Sequence, residues 1–210
     1  MDFRDYTIND FAQGIAGENT IAGGGSVAAL AGSYGAALIS MVCRKTIQNK
    51  NYADKREYFT KLLEDIQQPK ETFLDGIQED INSFSVFEAA MAMPKDTEEQ
   101  KAARKAAMQE GLKAAANAPL AIAELAASLM PACWDIVAEG NTNAGSDALV
   151  GIMMMRTAIL GSVYNIRINV KSIKDEEFNA ALLKRADELE KIAFEMEAKI
   201  MEASELSRRG

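Results

Sequence analysis

The 210-residue chain contains no histidine. That absence excludes a histidine-ligated zinc site, a Ser-His-Asp triad and a Cys-His pair, since each of them needs an imidazole. Any proton transfer must therefore fall to Asp, Glu, Lys, Tyr or Cys. The two cysteines, Cys43 and Cys133, each lie within an apolar stretch and outside any Cys-x-x-Cys spacing, so we expect both to be reduced core residues.

Positive charge is also scarce. The 23 Lys and Arg residues face 31 Asp and Glu residues, a net charge of -8, which argues against nucleic acid as a partner. The N-terminus, Met1-Asp2-Phe3-Arg4-Asp5, lacks the pattern of a secretory signal, which predicts a cytoplasmic protein. The uncharged run 19–43 is long enough to span a bilayer. Its five glycines and three serines make it weakly hydrophobic, so we interpret it as a buried helix without a membrane role.

Strand signals are nearly absent as well. No alternating Val/Ile/Thr run is bounded by Asn-Gly or Asp-Gly turns, and Ala, Leu, Met, Glu and Lys dominate throughout. No internal repeat or linker divides the chain. The sequence therefore predicts an all-α fold, a single-domain bundle of long antiparallel helices that spans residues 1–210.

Short polar side chains mark several helix starts, because such a side chain can accept a hydrogen bond from a first-turn amide. Thr7 should cap the first helix together with Asp10, and that helix should end near Gly17. Thr97 and Asp175 are expected to cap two later helices in the same way.

Other residues mark expected helix ends and breaks. A proline inside a helix removes a donor and clashes with the preceding turn, so the helix after Thr97 should end near Asn117. Gly140-Asn141 is expected to form a left-handed C-terminal cap, and Ser146 to cap the apolar helix that follows. The prolines expected to break or kink helices are Pro69, Pro119 and Pro131.

The segment Gly23-Gly24-Gly25-Ser26 leads directly into a helix rich in small residues. Glycines at a helix start expose backbone N-H groups with no side chains in the way, and such an end attracts anions. A tight loop before a crowded helix explains the same glycines equally well. The Gly-x-Gly-x-x-Ala spacing resembles a dinucleotide fingerprint, but no strand precedes it, so we discard a nucleotide site.

Three further groups are candidates for chemistry, and each has a structural alternative. The polar segment 140–147 gathers amides and a carboxylate between two apolar helices, or simply starts a helix. Asp80 lies at the edge of an apolar stripe, where its pKa could be perturbed. The structural alternative is that Asp80 is an ordinary exposed acid on the surface of a helix. Lys95 and Arg104 belong to a cationic cluster that could hold a carboxylate tail or pair with nearby acids.

Taken in chain order, several of these segments resemble one known pattern. They are Thr20-x-x-Gly-Gly-Gly-Ser-Val-Ala-Ala, Asp80-x-x-Ser-Phe, Met93-Pro94-Lys95-Asp96-Thr97, the helix from Arg104 to Pro119-Leu120, Gly140-Asn141 with Ser146-Asp147, and Asn165-x-x-x-Asn169. The set covers nearly the whole chain and resembles the formiminotransferase-cyclodeaminase C-terminal family, in its stand-alone bacterial form.

The resemblance implies an all-α homodimer that acts on a tetrahydrofolate substrate and needs no metal or redox cofactor. Stand-alone chains of this kind are often methenyltetrahydrofolate cyclohydrolases, which convert 5,10-methenyl-tetrahydrofolate and water to 10-formyl-tetrahydrofolate. The alternative activity is that of a formimidoyltetrahydrofolate cyclodeaminase, which closes the ring with release of ammonia. A third possibility is a non-catalytic helical dimer that binds folate or a protein partner.

With histidine absent, we hypothesise that Asp80 is the general acid/base and that Asp147 or Lys95 assists it. Asn141 and Asn169 would contact the pterin or its carboxylates, and Lys95 and Arg104 would hold the glutamate tail. The predicted substrate-binding residues are Gly23, Gly24, Gly25, Ser26, Arg104, Asn141, Ser146 and Asn169, and no residue is predicted to bind a metal.

Overall fold

A computed structural model describes residues 3–18 and 22–207, apart from the side chains of Phe84 and Ser207. Met1, Asp2 and Thr20, which entered the sequence arguments, lie outside the described residues. Within these ranges the chain forms eight α-helices and no strand, which confirms the all-α fold. The helices are α1 (Ile8–Ala16), α2 (Gly24–Gln48), α3 (Arg56–Asp65), α4 (Gln67–Met91), α5 (Glu98–Ser128), α6 (Met130–Ala138), α7 (Gly145–Asn169) and α8 (Glu176–Ala203).

The two central helices, α2 and α7, pack against each other in opposite directions. Gly24 lies beside Asn165 near one end of the pair, and Lys45 lies beside Asp147 near the other end. Small residues allow the backbones to approach closely, since a Cβ added to Gly35 would lie 3.1 Å from a backbone oxygen of α7. The helix pair forms the core of the protein and carries the functional site at one end.

The remaining long helices surround this pair. The ring of Phe73, on α4, fills the space beside Gly32 of α2, where a Cβ would lie 2.5 Å from the ring. Helix α5 packs against both α4 and α7, and α8 covers another side of α7. Three stretches are long and apolar enough to cross a membrane by length and composition, namely Gly24–Gln48, Glu98–Ala138 and Thr142–Ser172.

Three of the predicted N-terminal caps are confirmed, those at Thr7, Thr97 and Asp175. The Thr7 hydroxyl accepts a hydrogen bond from the Asp10 amide at 3.1 Å. Thr97 forms a full capping box with Gln100, and Asp175 accepts from a first-turn amide of α8. Local side-chain chemistry is enough to define these helix starts.

The expected break at Pro119 is wrong, because α5 runs through that residue without interruption. Pro119 has no N-H to donate to the carbonyl of Ala115, four residues earlier. The side-chain amide of Asn169, on α7, donates to that oxygen at 2.8 Å instead. The breaks expected near Pro69 and Pro131 are confirmed, because α3 ends and α4 begins just before the first, and α5 ends and α6 begins just before the second. Both prolines lie in the first turn of the new helix, where no backbone donor is needed.

The polar loop before α7 is not built as predicted. No described glycine has a positive φ, so the left-handed cap expected at Gly140-Asn141 is wrong. Asn141 is instead anchored to the end of α2, since its backbone N-H donates to Thr46 Oγ1 at 2.9 Å and its side chain donates to the Lys45 carbonyl at 3.0 Å. The expected cap by Ser146 is also wrong, because α7 already begins at Gly145 and its start has no side-chain cap.

Candidate active site

A pocket of about 400 Å³ opens where the N-terminus of α2 meets α4, α5 and α7. Its volume lies in the range of small-molecule sites. Two carboxylates, Asp80 and Glu88, and two side-chain amides, Asn165 and Asn169, line it. No lysine or arginine of the described residues belongs to the lining. The pocket is therefore acidic and rich in hydrogen-bonding groups.

Asp80 is held in place by the first turn of α2. The buried hydroxyl of Ser26 donates to Asp80 Oδ2 at 2.8 Å, and the Ser26 backbone N-H donates to the same carboxylate. Burial raises the pKa of Asp80 above its ordinary value of 3.8, and the two hydrogen bonds from Ser26 oppose that shift by favouring the charged form. The result is a half-buried carboxylate with a fixed orientation, which suits a proton-transfer group.

The three glycines at the start of α2 have different surroundings. A Cβ added to Gly25 would lie 2.1 Å from Asp80 Oδ1, so the missing side chain makes room for the carboxylate. A Cβ on Gly24 would lie 3.2 Å from Asn165 Nδ2, whereas one on Gly23 would meet nothing within 4 Å. Close packing against Asp80 therefore explains the glycine at position 25. At position 23 the backbone is open to the pocket.

Asn165 and Asn169 lie one turn apart on α7. Their Nδ2 groups each donate at 2.8 Å, the first to the Gly161 carbonyl and the second to the Ala115 carbonyl. Neither Oδ1 accepts a hydrogen bond within the described part of the chain. Both amides are thus oriented by the protein and retain an acceptor for a ligand that carries N-H groups.

The structure brings together about half of the predicted site. Gly23, Gly24, Gly25, Asp80 and Asn169 line the same pocket, and Ser26 holds Asp80. Their proposed roles stay predictions, because proximity does not establish a role in a reaction.

Asn141, Ser146 and Asp147 lie at the opposite end of the α2 and α7 pair. The carboxylate of Asp147 lies 3.6 Å from the ammonium group of Lys45. At a rise of 1.5 Å per residue, Lys45 is roughly 31 Å from Gly24 along α2. The prediction that Asn141, Ser146 and Asp147 belong to the same site as Asp80 is therefore wrong within one chain. The physical reason is that α7 runs antiparallel to α2, so its N-terminus lies at the far end.

Lys95 and Arg104 lie beyond the C-terminal end of α4. Arg104 Nε donates to the Met91 carbonyl at 3.2 Å, and neither residue lines the pocket. The prediction that Lys95 assists Asp80 directly is therefore wrong. Met91 follows Glu88 by about one turn of α4, so contact between these cations and a ligand tail that extends past Glu88 stays a prediction.

Sequence reasoning did not select four polar side chains of the pocket, those of Ser83, Ser85, Glu88 and Asn165. Asn165 carried a signal, since it precedes Asn169 by one helical turn and belongs to the same motif. Ser83, whose hydroxyl donates to the Asp80 carbonyl at 2.7 Å, also lies within the motif that contains Asp80. Glu88 carried no signal, because an exposed acid on a helix is ordinary in any sequence.

The two cysteines take no part in this pocket. Both are buried and free, as predicted, and burial raises the pKa of each thiol to about 12. Among residues 3–18 and 22–207, no group of three or more Cys, Asp or Glu side chains could hold a metal ion.

Comparison with known proteins gives consistent results. The family model of the formiminotransferase-cyclodeaminases matches residues 7–188. The methenyltetrahydrofolate cyclohydrolase of Methylorubrum extorquens is 33% identical over 203 residues, which cover 97% of this chain and 93% of that protein. The formimidoyltransferase-cyclodeaminase of Sus scrofa is 33% identical over 182 residues, which cover 87% of this chain and 34% of that longer protein. A crystal structure of formiminotetrahydrofolate cyclodeaminase from Thermotoga maritima has the same fold, with a TM-score of 0.84 at 23% identity over 96% of this chain and 97% of that one.

Proposed function

The chain belongs to the formiminotransferase-cyclodeaminase family, and from this premise we propose that it is a methenyltetrahydrofolate cyclohydrolase that converts 5,10-methenyl-tetrahydrofolate to 10-formyl-tetrahydrofolate. One observation carries the choice of reaction. The likeness to the cyclohydrolase of Methylorubrum extorquens extends over 97% of this chain and 93% of that protein, so the two correspond from end to end.

The reaction requires three proton movements around one carbon. Water adds to the carbon that bridges N5 and N10 and loses a proton to a base, which gives a neutral tetrahedral intermediate. The bond from this carbon to N5 then breaks as N5 gains a proton, and loss of the hydroxyl proton leaves the formyl group on N10. One proton is released overall, so a single carboxylate that alternates between base and acid can serve both steps.

Asp80 is suited to this role by its surroundings. Only its ionised form can take the proton from water, and the two hydrogen bonds from Ser26 hold that form in one orientation. The methenyl bridge of the substrate carries a positive charge, which the carboxylates of Asp80 and Glu88 would attract in a partly buried pocket. The free Oδ1 atoms of Asn165 and Asn169 could accept hydrogen bonds from N-H groups of the pterin.

A cyclodeaminase activity is the second candidate, because the Sus scrofa cyclodeaminase is also 33% identical, over 87% of this chain. Both reactions pass through a tetrahedral carbon, and they differ in whether water adds or ammonia departs. Incubation of the protein with each substrate, followed through the methenyl absorbance, separates them. A cyclohydrolase consumes methenyl-tetrahydrofolate, whereas a cyclodeaminase produces it from formimino-tetrahydrofolate.

Replacement of Asp80 by Asn tests the assignment of the base. We expect kcat to fall by roughly two to four powers of ten, the usual contribution of general acid-base catalysis. Glu79→Gln, one residue away but outside the pocket lining, is the matched control and should retain the wild-type rate. A folded Asp80→Asn variant with an unchanged rate would remove Asp80 from the mechanism. Tight folate binding by a wild-type protein that turns over neither substrate would favour the non-catalytic alternative.

We further propose that no metal or redox cofactor takes part and that the protein acts as a cytoplasmic homodimer. Proton transfer at carbon and nitrogen is sufficient for the chemistry above. Dialysis against a chelator should therefore leave the rate unchanged, and a loss restored by one added metal would contradict the first part of this proposal.

A further inference from the structure

Pro119 occupies an unfavourable position in the fold. It is buried in the interior of α5, which continues on both sides of it from Glu98 to Ser128. A proline in a helix interior removes one backbone hydrogen bond, and its ring clashes with the carbonyl four residues earlier. That carbonyl belongs to Ala115, which therefore lacks the N-H donor that an α-helix normally supplies. The proline thus leaves one acceptor of α5 open to a donor from outside the helix.

This open acceptor lies in the wall of the active-site pocket. Ala115 and Asn169 both line the pocket, whereas Pro119 does not. The side-chain Nδ2 of Asn169, on α7, donates to the Ala115 carbonyl at 2.8 Å. A helix without the proline would offer Asn169 no unpaired carbonyl at this point, because each interior carbonyl accepts from the N-H four residues later.

The hydrogen bond determines which end of the Asn169 amide faces a ligand. A carbonyl oxygen can only accept, so the amide nitrogen must face Ala115 and the amide oxygen must point away from it. The reverse orientation would place two oxygens in contact and leave both unpaired, which is unfavourable in a partly buried site. The Oδ1 atom accepts no hydrogen bond from residues 3–18 and 22–207. Asn169 therefore presents an acceptor to the pocket.

The neighbouring amide of Asn165 is oriented in a different way. Its Nδ2 donates at 2.8 Å to the carbonyl of Gly161, four residues earlier on the same helix. This bond depends on α7 alone, without a contribution from α5. The two amides therefore allow a comparison within one pocket, since only the orientation of Asn169 depends on residue 119.

We propose that Pro119 is a positioning residue of the pocket, which orients the Asn169 amide through the Ala115 carbonyl so that its oxygen accepts from an N-H group of the ligand. This arrangement favours ligands with a donor at that point, such as the N-H and amino groups of a reduced pterin. A ligand with an acceptor there would leave two oxygens unpaired. The identity of the ligand rests on the proposed function, whereas the orientation of the amide by Pro119 does not.

A purely structural role for the same contact makes different predictions. If Asn169 only replaces the hydrogen bond that α5 lost, a change at Pro119 alters stability and leaves substrate binding unaffected. A positioning role predicts a change in KM, because an interaction that holds the substrate equally well in the ground state and the transition state affects KM and leaves kcat unchanged.

The first test measures kcat and KM of Pro119→Ala with methenyl-tetrahydrofolate. Alanine supplies an N-H for the Ala115 carbonyl, so this carbonyl no longer holds the Asn169 amide in one orientation. We expect KM to rise roughly tenfold, the value of one ordinary hydrogen bond, while kcat stays within a few-fold. Pro131→Ala is the matched control and should keep the wild-type KM, because Pro131 lies in the first turn of α6. A Pro119→Ala variant with wild-type helix content and an unchanged KM refutes the positioning role.

A double-mutant cycle tests whether Pro119 acts through Asn169. If it does, adding Pro119→Ala to Asn169→Ala leaves KM at the value of Asn169→Ala, because the amide that the proline orients is already absent. Pro119→Ala combined with Asn165→Ala is the control, and there the two increases in KM should multiply. Increases that multiply in both pairs would contradict the proposal, since Pro119 would then act independently of Asn169.

Nuclear magnetic resonance tests the orientation without any reaction. The side-chain NH2 signals of Asn169 are identified by their loss in Asn169→Ala. In the wild-type protein the proton bonded to the Ala115 carbonyl should exchange with solvent about tenfold more slowly than in Pro119→Ala. The Asn165 signals should exchange equally in both proteins. Equal exchange of the Asn169 amide in the two proteins would show that Pro119 does not orient it.

The outcomes separate this inference from the proposed function. If the wild-type protein turns over neither folate, the proposed function fails, and the exchange of the Asn169 amide still decides whether Pro119 orients it. If turnover is normal and Pro119→Ala keeps the wild-type KM, the proposed function stands and the positioning role fails.

Discussion

Replacement of Gly25 by alanine tests whether the position of the Asp80 carboxylate determines the rate. A Cβ at this position would lie 2.1 Å from Asp80 Oδ1 and 2.6 Å from its Cγ. Non-bonded heavy atoms settle at about 3.5 Å or more, so the carboxylate must move by about 1.4 Å. Such a shift breaks the 2.8 Å hydrogen bond from the Ser26 hydroxyl.

The expected loss follows from this displacement. Misplacement of a reacting group by about 1 Å costs on the order of 100-fold in rate, and the lost charge-assisted hydrogen bond contributes further. We therefore expect kcat of Gly25→Ala to fall by roughly 100-fold to 1,000-fold. The melting temperature should change little, because the carboxylate borders an open pocket and alanine favours a helix more than glycine does.

The two neighbouring glycines supply matched controls. Gly23→Ala places its Cβ in open space and should retain kcat within a few-fold. Gly24→Ala brings a Cβ to 3.2 Å from Asn165 Nδ2 and should affect mainly KM, since that amide is proposed to bind the pterin. Initial rates of methenyl hydrolysis and thermal unfolding by circular dichroism measure the series. A wild-type kcat for Gly25→Ala, or an equal loss for Gly23→Ala, would refute the reasoning.

Three further predictions follow from the structure. Because burial raises the pKa of Asp80 and only its ionised form accepts a proton, kcat/KM should fall with decreasing pH at a midpoint above 3.8. A pH profile of kcat/KM without this limb would contradict the assignment. Asn169→Ala should lower the free energy of unfolding by about 1–2 kcal/mol by leaving the Ala115 carbonyl unpaired. Asn169→Ala should cost less stability in a Pro119→Ala background, where residue 119 has a backbone N-H that can donate to the Ala115 carbonyl. If a double-mutant cycle in urea gives the same cost for Asn169→Ala in both backgrounds, Asn169 does not compensate for Pro119. Thr97→Ala should cost about 1 kcal/mol in the same urea assay through loss of the cap, with kcat unchanged.

Local features of the fold were predictable because their causes are local. A cap depends on a side chain and an amide three residues later, so the starts of α1, α5 and α8 follow directly from Thr7, Thr97 and Asp175. Pro119 shows the limit of such reasoning. Its missing donor is replaced by Asn169, which is distant in sequence, and no window around the proline contains that information.

The site was predictable in its composition more than in its arrangement. Asp80 and the Gly23-Gly24-Gly25-Ser26 segment were selected from motifs, and the structure places them in one pocket. The same motifs include Asn141 and Asp147, which lie at the far end of α7. A motif shows which residues a family has in common, but it does not show which of them lie together in one pocket.

The sequence by itself determined the helical class, the capped starts of α1, α5 and α8 and the chemical inventory, since these depend on residue type and on spacing within a few turns. Only the tertiary structure decided that Gly25 gives space to Asp80, that Asn169 compensates for Pro119, and that the polar loop lies about 31 Å from the glycines. The first result depends on how α2 packs against α4, the second on how α5 packs against α7, and the third on the direction in which α7 packs against α2. That direction is set by side-chain packing across the whole bundle, which no local pattern contains.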